Sequence, residues 1–174
     1  METPYIGLEH MPRKSIWLTE WETSNKVTST KSWFQKGDVL FGKLRPYFHK
    51  VGLAQVKGIC STDILVIRAR HERYRPWLLM TLSSDEIVSH ATARSEGTRM
   101  PRAKWSDIAS FRAAIPTEEE ANRFREVAEP LIKRVEESAA ESRTLAELRD
   151  TLLPQLMSGK LRVKDAEKIV EDNV

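Results

Sequence analysis

Two short basic segments carry the side chains of this sequence that are best suited to bind a polyanion. The first segment is GKLRPYFHK, and its candidate ligands are Lys43, Arg45, Tyr47, His49 and Lys50. These residues alternate along a predicted strand and turn, so we expect their side chains to face one groove together. Groups of this kind donate hydrogen bonds to phosphate oxygens and to base edges. An ordinary solvated, charged loop is the alternative interpretation.

A second basic segment, ARSEGTRMPRAKW, supplies a further set of candidate ligands. They are Arg94, Thr98, Arg99, Arg102 and Lys104. Gly97 and Thr98 are small, so the backbone between these cations can approach a phosphate closely. A solvated loop again accounts for one such segment taken alone. Two of them in one small domain favour binding to a polyanion.

The sequence carries none of the patterns expected of enzymes that act on nucleic acids. It has no glycine-rich loop after a strand, no GxxxxGK[ST] motif and no NPPY-like segment for methylation of a flipped base. Asp63, in STDILVIRAR, is the one acidic residue placed like a nuclease carboxylate, and no Glu-x-Lys follows it. We therefore predict that this chain has no catalytic residues.

Residues that bind metals are scattered along the chain. The four histidines, His10, His49, His71 and His90, lack the spacing of metal ligands, and Cys60 is the only cysteine. A lone cysteine in an apolar strand is best interpreted as a small buried side chain. The sequence therefore predicts neither a metal site nor a cofactor.

Positive charge is concentrated in the first two-thirds of the chain. Residues 1–116 hold 18 Lys and Arg against 11 Asp and Glu, a net charge of +7, whereas residues 117–174 hold 10 against 14, a net charge of −4. An excess of positive charge favours polyanions because each neutralised phosphate releases counterions. No run approaches the ~20 apolar residues of a membrane span, and METPYIGLEH is unlike a signal peptide. We expect a cytoplasmic protein without membrane contact.

The basic part of the chain has the pattern of a mixed α+β domain that is rich in hairpins. Residues 37–44 and 51–56 are predicted strands on either side of a turn, and residues 59–69 form the strongest strand candidate because they are rich in β-branched side chains. Between Pro76 and Ala93 the apolar period changes to that of one or two helices.

A long helix is predicted after this domain. Thr117 and Glu120 have the spacing of a capping box, and acidic residues in the first turn suit the helix dipole. Pro130 has no amide to donate, so it should kink the helix or divide it into elements at about 118–129 and 131–157. Gly159 is a natural stop. The domains are therefore expected at 1–116, 117–159 and 160–174, the last being a tail that is either a frayed helix or disordered.

Residues spaced alternately by three and four form a coiled-coil seam along this helix. The seam comprises Phe124, Ala128, Leu131, Val135, Ser138, Ser142, Leu145, Arg149, Leu152 and Leu156. Small polar residues at its middle allow a partner helix to approach closely. The alternative is a helix that packs on its own domain. Its length and its charged outer faces favour association with another long helix.

Five strings resemble the specificity subunits of type I restriction-modification systems. They are YIGLEHMP, GDVLFGKLRPY, STDILVI, EGTRMPRAKW and TLAELRDTLLPQLMSGKLRV. The last string resembles the conserved helical region of that family, and GDVLFGKLRPY and GTRMPR resemble its target-recognition domains. The resemblance covers nearly the whole chain.

The resemblance implies sequence-specific recognition of DNA. In that family each recognition domain reads one half of a split site, a long helix acts as a spacer, and modification subunits carry out methylation. Full subunits hold two domains and two spacers, so this chain resembles a half-length form, one that lacks the strand often found before YIGLEH. The implied partners are double-stranded DNA, a modification methyltransferase subunit and, where present, a restriction motor subunit.

The predicted seam suggests how a half-length form reads a two-part site. Two copies would pair through antiparallel helices, with Leu131, Val135, Ser138, Ser142, Leu145, Leu152 and Leu156 at the contact. Leu131 to Leu153 spans roughly 35 Å of helix, which is about one turn of B-DNA. A second class of function stays open, in which the helices dock on a methyltransferase and direct contact with DNA is minor.

Overall fold

Short strands form the framework of the N-terminal part of the computed structural model. The structure describes residues 3–23, 31–95 and 99–172. Within them the strands are β1 (Pro4–Ile6), β2 (Trp17–Leu18), β3 (Glu22–Thr23), β4 (Lys31–Phe34), β5 (Val39–Gly42), β6 (Val51–Ala54), β7 (Gly58–Ser61) and β8 (Ile64–Ile67). They pair into two four-stranded sheets, in the orders β3-β1-β7-β4 and β2-β6-β5-β8.

Strand β5 is the centre of the second sheet. It pairs antiparallel with β6 and with β8, so Leu40 lies opposite both Gly52 and Val66. All four of its residues are buried, as expected of a continuous apolar run. The predicted strands on either side of the basic turn are confirmed. The pairing is more varied than hairpins alone, because β1 with β7 and β2 with β6 are parallel.

The single strand predicted over residues 59–69 is wrong. The chain turns at residues 62 and 63, and the flanking strands β7 and β8 belong to different sheets. The Ser61 hydroxyl stabilises this turn by accepting a hydrogen bond from the Asp63 backbone amide at 3.2 Å. Apolar content alone could not reveal the division.

The main core cluster takes residues from both sheets. Its fully buried members are Ile6, Met11, Leu18, Phe34, Leu40, Ala54, Cys60 and Ile64. Cys60 is therefore a core side chain, as predicted. Burial raises the pKa of its thiol to about 11.

We expect the Cys60 thiol to be inert in the folded protein. The thiolate is the reactive form, and a raised pKa keeps it below about one part in a hundred at pH 8. Alkylation by iodoacetamide should be at least about 100-fold slower in the native protein than in urea, where the thiol recovers its ordinary pKa. Mass spectrometry of timed samples measures both rates. Equal rates would contradict the burial of this residue.

A buried carboxylate just before β5 links the residue that follows β8 to the loop that precedes β5. Asp38 is 1 % exposed. Its two oxygens accept hydrogen bonds from Nε and Nη2 of Arg68, each at 2.6 Å, and Oδ2 also accepts from the Gln35 amide at 2.7 Å. A bidentate charged pair of this kind fixes both distance and orientation.

Asp38→Ala is expected to lower the free energy of unfolding by roughly 3 kcal/mol, because it removes the acceptor of the partly buried hydrogen bond from the Gln35 backbone amide and opens a cavity. Asp38→Asn keeps one oxygen for that amide, so its loss should be smaller. Urea denaturation of the three proteins provides the comparison. A wild-type midpoint for Asp38→Ala would show that the pair contributes nothing to stability.

Two helices follow β8, as the period predicted. They are α1 (Arg75–Leu82) and α2 (Asp85–Arg94), and a short helix, α3 (Trp105–Ala109), comes later. Ser84 caps α2 by accepting a hydrogen bond from the Ile87 amide at 3.4 Å. The buried face of α2 contains Ile87, Val88 and Ala91.

The long helix α4 runs unbroken over Glu118–Met157, a length of 40 residues. Its capping box is confirmed, since the Thr117 amide donates to Glu120 Oε2 at 2.8 Å and the Glu120 amide to Thr117 Oγ1 at 3.3 Å. The division into two elements at Pro130 is wrong. Proline lacks the amide for one helical hydrogen bond and its ring crowds the carbonyl four residues earlier, but the remaining bonds keep the helix continuous.

The structure divides into two compact units, Met1–Ala128 and Glu129–Val174. The second unit contains most of α4 and a helix, α5 (Val163–Glu171), in the tail for which the sequence left a frayed helix and disorder as alternatives. Gly159, with φ of +72°, ends α4 as expected. Ala166 is the buried residue of α5. Across the described ranges, no helix combines the length and the apolar character needed to cross a bilayer.

Candidate nucleic-acid interface

Backbone hydrogen bonds join the two basic segments. The Arg45 amide donates to the Pro101 carbonyl at 2.7 Å, and the Ala103 amide donates to the Lys43 carbonyl at 2.9 Å. Leu44 and Arg102 form an antiparallel bridge between these bonds. Two segments that are distant in sequence thus lie side by side. We call the surface that carries Lys43, Arg45, Tyr47, Arg99, Arg102 and Lys104 the basic face.

The first segment contains the turn that the sequence predicted, but the backbone of this turn does not keep the side chains on one side. Arg45 and His49 have φ of 50° and 52°, in the left-handed region, and Pro46–Phe48 is a 3-10 turn between them. Such backbone is costly for residues other than glycine and is kept only where surrounding contacts enforce it. The turn leaves Tyr47 half exposed. Side chains of this segment therefore leave in different directions.

The side chains of His49 and Lys50 attach the turn to the rest of the domain. His49 is 8 % exposed, with Nε2 at 2.8 Å from the Ser83 carbonyl and Nδ1 at 3.3 Å from Asp85 Oδ1. Lys50 Nζ donates to the Leu8 carbonyl, and burial lowers the pKa of this amine. Both side chains are engaged inside the protein, so the structure assigns them contacts that position the turn.

Arg45 lies at the junction of the two segments. Its Nε is buried and has no hydrogen-bond partner among the described residues. Its guanidinium carbon is 5.8 Å from the centre of the Phe48 ring. The rest of the side chain is partly exposed. Arg45 thus combines a fixed backbone with a guanidinium that no described carboxylate neutralises.

The second segment presents cations of two kinds. Arg102 Nε donates to Asp63 Oδ1 at 3.0 Å, a bond that raises the pKa of this guanidinium. Asp63, the residue placed like a nuclease carboxylate, is therefore the partner of an arginine. The Lys104 amide caps α3 by donating to Asp107 Oδ2 at 2.6 Å, while the Lys104 side chain is exposed.

The other predicted ligands of this segment differ in how the structure places them. Arg99 is exposed next to the paired backbone, and Arg94 is exposed in the last turn of α2. Thr98 and the neighbouring Gly97 lie outside the described residues. Sequence reasoning missed Met100, which is 49 % exposed beside these cations in the chain; Trp105, a tryptophan able to stack on bases, is 56 % exposed there. The signal in the sequence is a large apolar residue next to a basic one within a loop-like segment.

Several cations of the basic face keep an unbalanced charge. Lys43, Arg45 and Arg99 have no ion-pair partner within the ranges that the structure describes. Elsewhere in the same unit, arginines such as Arg68 and Arg73 bind carboxylates of Asp38 and Glu118. Positive charge left uncompensated at one surface attracts anions. The basic face therefore has the electrostatic character of a site for phosphate groups.

The predicted seam of α4 falls into two parts. Leu131 and Leu145 are 64 % and 43 % exposed, and Ser138 and Ser142 are exposed between them, whereas Val135 is half-buried. Leu152 is only 7 % exposed. The first part of the seam is free to meet another helix, and the second part already has cover.

The cover comes from α5. Leu145, Leu152 and Leu156 line a cleft of about 560 Å³ together with residues of α5. The α5 side of this α4–α5 cleft is formed by Val163, Ala166, Glu167, Val170 and Glu171. Leu152 and Leu156 thus face residues of their own chain, whereas Leu145, at the edge of the cleft, stays 43 % exposed. Among the described residues, no group of three or more His, Cys, Asp or Glu side chains is placed to hold a metal ion.

Comparison with known proteins supports one family. The chain is 32% identical over 93 residues to the EcoDI type I restriction enzyme specificity subunit of Escherichia coli, covering 52% of this chain and 20% of that protein. It is 26% identical over 132 residues to the MjaIX specificity subunit of Methanocaldococcus jannaschii, covering 76% and 29%. No family model matches the chain.

The fold agrees with this similarity. The HsdS subunit from Thermoanaerobacter tengcongensis matches with a TM-score of 0.62 and 25% identity, over 90% of this chain and 42% of that one. By sequence and by fold, the chain is a relative of type I specificity subunits. A second solved chain, from a structure of the type I R-M system, matches over 91% of this chain and 42% of its own, with the same TM-score and identity.

The type I relatives are longer than this chain. It spans 20% and 29% of the two curated specificity subunits and 42% of each solved chain that it matches. The α+β domain followed by a long helix, which the sequence predicted, is confirmed by the likeness to HsdS.

Proposed function

We propose that this chain is a sequence-reading component of a type I restriction-modification complex, and that it recognises one half of a two-part DNA site. The observation that carries the proposal is the basic face, where backbone pairing of residues 43–45 with 101–103 brings two cationic segments together. The specificity-subunit relatives favour DNA as the ligand. The chain itself is proposed to be non-catalytic and to act on chromosomal DNA in the cytoplasm.

The α4 helix is proposed to set the distance between two half-sites. At about 1.5 Å per residue, 40 residues extend roughly 60 Å, which exceeds one turn of B-DNA. The exposed seam from Leu131 to Leu145 suits an antiparallel contact with the same helix of a second copy. Two copies would then present two basic faces related by a twofold axis, which suits a palindromic site.

Partners of the complex follow from the relatives. A modification methyltransferase subunit would supply the catalytic chemistry, and a restriction motor subunit would join where the system includes one. The second candidate function is a protein-interaction module that docks on the methyltransferase with minor contact to DNA. The apolar α4–α5 cleft is the observation that favours it, because Val163 and Leu153 are 65 % and 52 % exposed there.

Duplex binding with and without the modification subunit separates these functions. Fluorescence anisotropy of a labelled duplex library should report salt-sensitive binding by the chain alone, since the basic face belongs to this chain. The subunit should then increase affinity without being required. Binding seen only in the presence of the modification subunit would favour the interaction module and contradict the proposed reading role.

A further inference from the structure

A cation outside both predicted segments adjoins the basic face. Arg13 lies just after the YIGLEHMP string, and its guanidinium carbon sits 3.9 Å from the centre of the Phe48 ring. The next residue is bonded to the same turn, because the Lys14 amide donates to the His49 carbonyl at 3.0 Å. Arg13 is therefore attached to the Pro46–Phe48 turn by stacking and by backbone.

Two arginine side chains lie near the ring of Phe48. Arg13 is close enough for parallel stacking, and Arg45 is 5.8 Å from the same ring. Aromatic rings attract guanidinium groups through the negative charge of their faces, and stacking leaves the N–H donors at the edge of the guanidinium unused. Arg13 is exposed and has no carboxylate partner in the described part of the chain. Its donors therefore face solvent.

The surroundings of Arg13 are short of negative charge. The positive charge of Arg13 contributes to the lowered pKa of Lys50, after the larger effect of burial. Glu9 acts on Lys50 in the opposite sense and more weakly. Three cations, Arg13, Arg45 and Lys50, are thus gathered around one turn. Holding these like charges together costs free energy, which an anionic ligand would return.

We propose that Arg13, stacked on Phe48, binds a phosphate of the DNA backbone and so positions the duplex on the basic face. The proposal rests on the proposed function and adds a third chain segment to it. A phosphate contact fixes register without reading sequence. Arg13 should therefore contribute to affinity for every duplex equally.

Arg13→Gln tests this role by removing one charge from the edge of the basic face. Each phosphate contact accounts for a salt slope of about 0.9, so the slope of log K against log salt should fall by about 0.9 and affinity at ~0.1 M salt should fall roughly tenfold. The probe is a labelled duplex of mixed sequence, titrated at several salt concentrations. Arg13→Lys keeps the charge and should retain most of the slope.

Arg70→Gln is the matched control. Arg70 is an exposed arginine that follows β8, and β8 ends beside Val39, at the opposite end of β5 from Lys43. The control makes the same change of charge and should leave the slope unaltered. Thermal melts verify that all variants are folded.

Three results would overturn the proposal. An unchanged slope in Arg13→Gln, with wild-type protein still binding the duplex, would refute the Arg13 contact and leave the proposed function standing. Equal losses in Arg13→Gln and Arg70→Gln would show a general effect of charge. Failure of the wild-type protein to bind any duplex would remove the proposed function and this inference together.

Discussion

Arg45→Ala is expected to weaken binding of the cognate duplex by roughly 1–3 kcal/mol, which is about 5- to 150-fold. The magnitude follows from the position of Arg45 at the junction of the two segments. Its backbone is fixed by the bond to the Pro101 carbonyl, and its guanidinium is not neutralised by any described carboxylate. An arginine held in this way can form a bidentate contact with a guanine edge.

The salt dependence of DNA affinity distinguishes contacts with bases from contacts with phosphates at the basic face. If Arg45 reads a base, its loss should reduce discrimination between the cognate and a mismatched duplex while the salt slope stays nearly constant. Arg99→Ala should instead lower affinity for both duplexes and reduce the slope if Arg99 touches phosphate. Anisotropy titrations at several salt concentrations measure both effects.

The Arg45 result needs a control for backbone strain. Alanine at φ of 50° keeps the strain of the native conformation, whereas Arg45→Gly relieves it. Both variants should lose DNA affinity equally, because both lack the guanidinium. If Arg45→Ala and Arg99→Ala each kept wild-type affinity for DNA, the basic face would not be the DNA-binding surface.

Substituting Leu131 and Leu145 together with glutamate is expected to separate a dimer into monomers. In an antiparallel pair each glutamate would be buried against the partner helix, at a cost that a seam of this size cannot offset. Light scattering should show the mass falling from about twice 20.0 kDa to 20.0 kDa. Affinity for a duplex carrying two half-sites should fall about 100-fold, because linked binding is lost.

Ala140 and Thr151 provide the control for this pair. Both are exposed, and Ala140 lies two residues from Ser138 and from Ser142, on the opposite side of α4 from the seam. Glutamates at these two positions add the same charge and should leave the dimer intact. Leu152 is unsuitable for the test because α5 covers it in the same chain. A dimer that survives glutamate at Leu131 and Leu145 would refute pairing through this seam.

Local patterns predicted the elements of the fold well where one physical cause dominates. Continuous apolar runs identified β5, β6 and β8, and the spacing of Thr117 and Glu120 located the start of α4. The turn that separates β7 from β8 escaped notice because Ser61, Thr62 and Asp63 form only a short polar interruption between two apolar stretches. The short N-terminal strands depend on pairing with distant partners, which no local pattern records.

The candidate site was predicted in its parts, while its assembly was not. Each basic segment was evident from composition, but the bridge of Leu44 to Arg102 is a contact between residues far apart in the chain. Left-handed backbone at Arg45 and His49 broke the expected alternation and turned His49 inward. Arg13 was invisible because its contact is with a ring that also lies far from it in sequence.

The most direct test of the central claim is selection of duplexes from a random library by the purified chain, followed by sequencing. If the basic face reads half of a split site and α4 sets the spacing, the enriched duplexes should share two half-sites related by a twofold axis and separated by a constant number of unspecified base pairs. Recovery of sequences without any common motif, at salt where the chain still binds DNA, would contradict the account.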